Sequence, residues 1–287
     1  MDNPFRISFC GGETLAREET IDLVAFAHDK RFETYITTSG YGLNADMIKN
    51  LVNAGIDEIA FSLETLNAKK HDSLRGTDGL FETIISSIDQ IKQLSPRVRI
   101  GLNTIIMAEN LDDLPALTRW VVDNPRLNFI GFQVITQPQN TPADADWFNK
   151  GAFANLWPSD FKKTNDILDE LIAIKKESEK QQKYKIGTLI LQFEAFKAYF
   201  RNPNSFVKEV RCNIYKKPLS INPYGGIEFC RETGSVGNIR KDNLRELWNG
   251  KRKDWVEAIS RCKTCCPKLL NAYFDDAPVD GDLLIKT

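Results

Sequence analysis

The first 136 residues repeat one unit, a short apolar or β-branched stretch followed by a segment with an apolar stripe at helical spacing. The stretches are RISF (6–9), ETYITTSG (33–40), EIAFSLE (58–64), RVRIGLNTII (97–106) and LNFIGFQVIT (127–136). Between them, residues 14–30, 44–54, 78–94 and 110–123 read as helices; the third carries Phe81, Ile84, Ile85, Ile88 and Ile91 on one side. Gly55 stops the second helix. Strands that alternate with helices across short joints must all enter the sheet in one direction, which predicts a parallel, right-handedly wrapped α/β sheet. Ligands of such sheets gather at the carboxyl ends of the strands. That rule directs attention to Gly11, Gly12, Glu13, Ser39, Gly40, Ser62, Glu64, Asn103 and the stretch after Val134.

The rest of the chain is organised differently. Residues 137–158 carry Pro138, Pro142 and Pro158 among Asn, Asp and the aromatics Trp147, Phe148, Phe153 and Trp157, the composition of a linker or an active-site loop. A substrate-selecting role for the 147–157 aromatics is expected from their position. A long amphipathic helix spans 159–182, with Ser159 as the expected N-cap, and a short strand and an aromatic-rich helix fill 186–210. The net charge of −1 offers no field for nucleic acid or an anionic membrane. The apolar runs are too short to span a bilayer, and residues 1–30 lack a signal layout, so the chain reads as cytoplasmic.

Five of the six cysteines lie from Cys212 onward. In a reducing compartment, such clustering favours a metal site over disulfides. Cys212 and Cys230 bracket two short strands around Asn222-Pro223-Tyr224-Gly225-Gly226, a hairpin that brings its ends together. Cys262-x2-Cys265 is the bite of a loop on one metal or cluster. Four thiolates suit either tetrahedral zinc or an iron–sulfur cluster. Cys266 is adjacent to Cys265 and points elsewhere in most loops, so Cys265 is the expected ligand. At the other end, Gly11-Gly12-Glu13 follows a strand and precedes a helix; the glycines admit a ligand to the backbone, and Glu13 can accept from an ammonium. Arg75 can reach a carboxylate or pair with Asp72 or Asp78. His28 and His71 read as surface or helix-face residues. No Ser–His–Asp set, P-loop or dinucleotide fingerprint occurs.

In order along the chain, these pieces resemble the radical S-adenosylmethionine (radical SAM) enzymes with a C-terminal twitch or SPASM-type auxiliary iron–sulfur domain. FCGGETL resembles the family's Gly-Gly-Glu motif, and YITTSGYGLNADMIKNLVNAGIDEIAFSLET its next two strands. HDSLRGTDGLFETI is similar to the segment that follows. Cys-x12-Gly-x4-Cys, the linker VGNIRKDNLRELWN and Cys-x2-Cys are similar to the twitch pattern. The resemblance implies a partial (β/α) TIM-like barrel over 1–136, with five of six expected parallel strands. It implies a linker and helical connection over 137–210, a small α+β auxiliary-cluster domain over 211–274 and a tail over 275–287. By resemblance, Gly11, Gly12 and Glu13 hold the SAM amino group, Ser62 and Glu64 lie near its ribose and carboxylate, and Arg75 and Asn103 meet its polar groups. Cys212, Cys230, Cys262 and Cys265 would bind one auxiliary [4Fe–4S] cluster.

One departure stands out. The family's reducing [4Fe–4S] cluster is held by Cys-x3-Cys-x2-Cys before the Gly-Gly-Glu strand, and these 287 residues contain no such segment. The expectation is an N-terminally truncated chain, inactive as written. Its longer parent would reductively cleave SAM and modify a peptide, sugar or small metabolite, taking electrons from a flavodoxin or ferredoxin. The alternative is a non-catalytic iron–sulfur or zinc module that binds a partner.

Overall fold

Five strands pair in the order β1-β2-β3-β4-β5: β1 (Arg6–Phe9), β2 (Glu33–Thr38), β3 (Glu58–Ser62), β4 (Arg99–Ile106) and β5 (Phe129–Val134). Every pairing is parallel, as the alternating pattern requires. The computed structural model describes residues 5–138, 141–142, 144–204, 219–228, 234–247, 250 and 270–271. The chain divides into two compact units, Met1–Ile135 with Phe148–Thr188 and Thr136–Trp147 with Leu189–Thr287.

In the first unit, helices α1 (Glu19–Asp29), α2 (Ala45–Asn53), α3 (Ala68–Arg75), α4 (Leu80–Leu94) and α5 (Leu114–Asp123) connect the strands. One sheet face is apolar and sealed: Ile36, Ile59, Phe61, Ile100, Leu102, Ile130 and Phe132 are at most 2% exposed. Against it the helices bury Val24, Ile48, Leu51, Ile84, Ile88, Leu117 and Val121, the stripes that the periodicity marks. Burying an aliphatic side chain of this size contributes about 1.5–3 kcal/mol, so this face carries the unit's stability. A short helix α6 (Gly151–Ala154) follows, and then α7 (Phe161–Lys180), which packs on α5.

Helix ends follow capping chemistry. The Asn44, Asn67 and Asp160 side chains accept from the amides of Met47, Lys70 and Lys163. The cap of α7 is thus Asp160, one residue after the expected Ser159, because the carboxylate lies three residues before a free amide. The expected helix 110–123 begins instead as a 3-10 turn, Ala108–Asp113, and becomes α-helical where Pro115 occupies the first turn. Helix α3 is absent from the sequence reading because His71 is its one buried residue, which leaves no apolar stripe. The 147–157 aromatics are packed into the protein: Trp147 is 9% and Trp157 3% exposed, and the Phe148 and Trp157 rings lie 4.8 Å apart.

In the second unit, α8 (Ile190–Arg201) buries Phe193, Phe196, Tyr199 and Phe200. A separate antiparallel sheet joins β6 (Ser220–Ile221), β7 (Gly226–Glu228) and β8 (Ser235–Asn238). Among the described residues, no helix is long and apolar enough to cross a membrane.

Candidate functional site

The second face of the parallel sheet is polar. Strand register fixes its members, because alternate side chains share a face. Ser8 lies beside Tyr35 and Tyr35 beside Glu58. Thr37, Ala60, Gly101 and Phe129 form the next row, and Ser62, Asn103 and Gly131 the row nearest the carboxyl ends of β3, β4 and β5. Gln133 follows on β5, in register with Ile105. At the amino end of the face, the Glu58 carboxylate sits between Arg6 and Arg99, with Arg99 Nη1 at 3.0 Å. The Arg6 guanidinium lies 4.3 Å from the centre of the Tyr35 ring. Gly101 is required here: a Cβ would stand 2.1 Å from the Phe129 ring. Further up, the Tyr35 hydroxyl accepts from Thr37 Oγ1 (3.0 Å) and Asn103 Nδ2 (3.3 Å). Tyr35, Thr37, Ser62, Asn103 and Gln133 are all half-buried, so this face holds polar groups at the margin of solvent.

The Gly-Gly-Glu turn lies at the carboxyl end of β1. Gly11 (φ 109°) and Gly12 (φ 52°) both adopt the left-handed region, where a side chain is strained. Both are exposed, and no atom lies within 4 Å of a Cβ built on either. The backbone of this turn is therefore open to solvent. Glu13 turns toward β2. Its Oε1 accepts from Thr38 Oγ1 (2.7 Å) and the Leu15 amide (3.1 Å); its Oε2 accepts from the Ser39 amide (2.8 Å) and Ser39 Oγ (2.5 Å). Glu13 thus clamps the first turn to the second strand end, and it remains half-buried beside the exposed glycines.

Glu64 is 1% exposed, and both of its oxygens are engaged within the protein. Oε1 takes Arg75 Nη2 at 2.5 Å and Oε2 takes the Ile105 amide at 2.7 Å. Burial pushes the Glu64 carboxyl above its ordinary pKa, against the pull of Arg75 and the Ile105 N–H. Arg75 pairs with Glu64 rather than with Asp72 or Asp78; Asp72 instead accepts from the Gly79 and Phe81 amides at the start of α4. His28 is exposed, at the end of α1. His71 is fully buried, not on the surface, and burial together with the nearby Arg75 charge lowers its pKa to about 4. The structure brings Glu64, His71 and Arg75 together, and it brings Ser62 to Asn103. Tyr35, Thr37, Gln133 and the structural His71 were missed by the sequence reading. Counting strand alternation outward from Ser62 and Asn103 would have found the first three.

In the second unit, the four cysteines expected as ligands, Cys212, Cys230, Cys262 and Cys265, lie outside the described residues, as does Cys266. Their scaffold is described. The expected turn joins β6 to β7, and Asn222 Oδ1 accepts from the Tyr224 (3.0 Å) and Gly226 (2.9 Å) amides. Gly225, the glycine of Cys-x12-Gly-x4-Cys, has φ 82°, and a Cβ there would meet Asn238 Oδ1 at 2.9 Å. A Cβ at Gly226 would stand 2.5 Å from Asn222 Nδ2. Ile227 is wholly buried against Leu219, Val236 and Leu247. The motif's glycine is thus a packing and turn requirement of the hairpin.

Comparison with known proteins agrees with this architecture. Residues 5–121 match the radical SAM superfamily, and residues 212–266 match SPASM, an iron–sulfur cluster-binding domain. An AdoMet-dependent heme synthase of Methanosarcina barkeri is 23% identical over 277 residues, covering 89% of this chain and 72% of that protein. A PqqA peptide cyclase of Methylocella silvestris is 37% identical over 250 residues, covering 83% of this chain and 59% of the relative. The crystal structure of Streptococcus suis SuiB shares the fold, with a TM-score of 0.63 at 14% identity, over 93% of this chain and 61% of SuiB. The chain therefore spans about three-fifths to three-quarters of these proteins' lengths.

Proposed function

This chain carries a radical SAM superfamily domain followed by a SPASM iron–sulfur domain, and we propose that its first unit binds SAM at the carboxyl ends of the parallel strands, for modification of a peptide. The observation that carries the reading is the polar row at those ends, Ser62 and Asn103, at the same carboxyl end of the sheet as the open Gly11-Gly12 turn. The residues fit the cofactor chemically. SAM presents an ammonium, a carboxylate, ribose hydroxyls and a purine. Gly11 and Gly12 offer carbonyl oxygens to the ammonium with the Glu13 carboxylate behind them, and Ser62 and Asn103 offer a hydroxyl and an amide to the nucleoside. Arg75, 25% exposed, supplies a cation for the SAM carboxylate while its other contact holds Glu64. When bound and reduced, SAM is the source of hydrogen-atom abstraction, and the protein's part is to orient and shield it.

Support for a peptide substrate comes from the 37% identity to the PqqA peptide cyclase. The auxiliary [4Fe–4S] cluster is assigned to Cys212, Cys230, Cys262 and Cys265, of which the first two flank in sequence the hairpin that Gly225 closes. Cys10 is the one cysteine in the sequence of the first unit, so no electron-delivery step is assigned to these residues. Isothermal titration of SAM into the anaerobically purified chain, with iron and sulfide analysis, tests the reading. The expected result is saturable binding and iron with sulfide; zinc without a brown absorbance band, or no heat on titration, would overturn the corresponding half.

A further inference from the structure

Two backbone donors, those of Glu64 and Ile105, lose their strand partners where β3 leaves the sheet after Ser62. Strand β4 continues to Ile106, while its neighbour turns away toward α3. The Leu63 amide donates to the Asn103 carbonyl at 3.1 Å. The Ile105 amide, which would otherwise face an absent strand, donates to the Glu64 carboxylate. The Glu64 amide donates to Nδ1 of His71 at 3.3 Å. Two more bonds close the joint: Thr104 Oγ1 donates to the Leu63 carbonyl (2.7 Å) and Asn110 Nδ2 to the Glu64 carbonyl (2.9 Å). Leaving any of these buried groups unpaired costs about 1–3 kcal/mol, so the register of residues 62–64 against 103–105 is fixed by the whole set.

We propose that His71 is a positioning residue for SAM: by accepting the Glu64 N–H it holds the end of β3 so that Ser62 stays beside Asn103 on the ligand-bearing face. This rests on the reading that SAM binds at these strand ends. The role demands one tautomer. Nδ1 accepts, so the neutral ring carries its proton on Nε2. His71 and Arg75 stand one turn apart on α3, so a single helix grips Glu64 at both its backbone and its carboxylate. Glu64 acts within this joint and does not touch the cofactor. The charged groups around the ring are Arg75 and Asp72, with Glu64 bonded through its amide.

The test has two parts. In ¹⁵N-labelled protein near neutral pH, long-range ¹H–¹⁵N correlation is expected to show the His71 ring neutral, protonated on Nε2 and bare on Nδ1. A proton on Nδ1 would overturn the proposal without any ligand present. Calorimetry with S-adenosylhomocysteine then compares the unaltered chain with His71→Asn, whose side-chain oxygen can take the place of Nδ1, and His71→Gln, whose oxygen reaches the Nε2 position instead. The expected result is affinity within about threefold of the parent for His71→Asn and about tenfold weaker for His71→Gln, with shifted Ser62 and Asn103 amide resonances in the latter; tenfold is about 1.4 kcal/mol. Equal affinity in all three proteins, or equal loss in both variants, would overturn the positioning role. If the parent itself binds no S-adenosylhomocysteine while the tautomer is as expected, the SAM reading fails at its own step and takes the proposal with it.

Discussion

Adjacent residues of β4 do opposite jobs. Ile100, Leu102, Thr104 and Ile106 face the helices and are fully buried; Gly101, Asn103 and Ile105 face the other way, among polar groups and small side chains. The covered face is buried, mostly apolar and close-packed. The second face is chemically particular: a carboxylate between two guanidiniums, a phenol bridged by Thr37 and Asn103, and the Ser62–Asn103 row. Between the two faces lies the joint of Glu64, His71 and Arg75. Its residues bury like the first face and bond like the second, which makes it the place where stability and ligand geometry are coupled.

Cutting that joint is the hardest blow to the distinction. Arg75→Met leaves the Glu64 carboxylate buried without its cation, with an expected loss of about 3–5 kcal/mol in urea unfolding. A loss below about 1 kcal/mol would mean that Glu64 reaches solvent. On the covered face, Leu102→Ala is expected to cost about 2–5 kcal/mol while leaving SAM affinity within about twofold. Its neighbour Asn103→Ala should do the reverse, costing about 1 kcal/mol or less and weakening SAM at least tenfold. Parallel losses in both properties for both variants would erase the two-face account. In the second unit, Gly225→Ala forces a side chain into a left-handed turn against Asn238, with an expected cost of about 1–2 kcal/mol and a lower iron content per chain.

The smallest effect is the pH dependence. His71 has a folded-state pKa near 4 against an ordinary value of 6.5, so the unfolded chain binds the additional proton between those values. Stability from this group is complete above about pH 6.5 and falls as the pH drops toward 4. Urea midpoints across that range should slope downward on acidification, and the slope should flatten in His71→Asn. An unchanged slope would show that His71 titrates normally.

Much of this was legible from residue order alone. The five strands and the helix stripes follow from periodicity, because the covered face of the sheet is mostly apolar or β-branched. The hairpin at Asn222–Gly225 follows from its turn residues, and Gly11-Gly12 from the place of glycines after a strand. Where the sequence reading fell short, the cause was physical. Glu64 has the residue type of a ligand group, and only the tertiary structure shows that one of its oxygens replaces a strand partner of Ile105, a role that depends on β4 outrunning β3. His71 sits in a charged helix without an apolar stripe, and only tertiary packing buries it. Ser159 yielded to Asp160 because a cap is chosen by geometry over one residue.

The claim that organises this picture is that the polar end of the sheet is a SAM site. It is tested most directly by calorimetric titration of SAM into the intact chain and into Asn103→Ala and Leu102→Ala. The account predicts saturable one-to-one binding in the parent and in Leu102→Ala, and at least tenfold weaker binding in Asn103→Ala. Binding that Asn103→Ala leaves intact, or no binding by the parent, would contradict it.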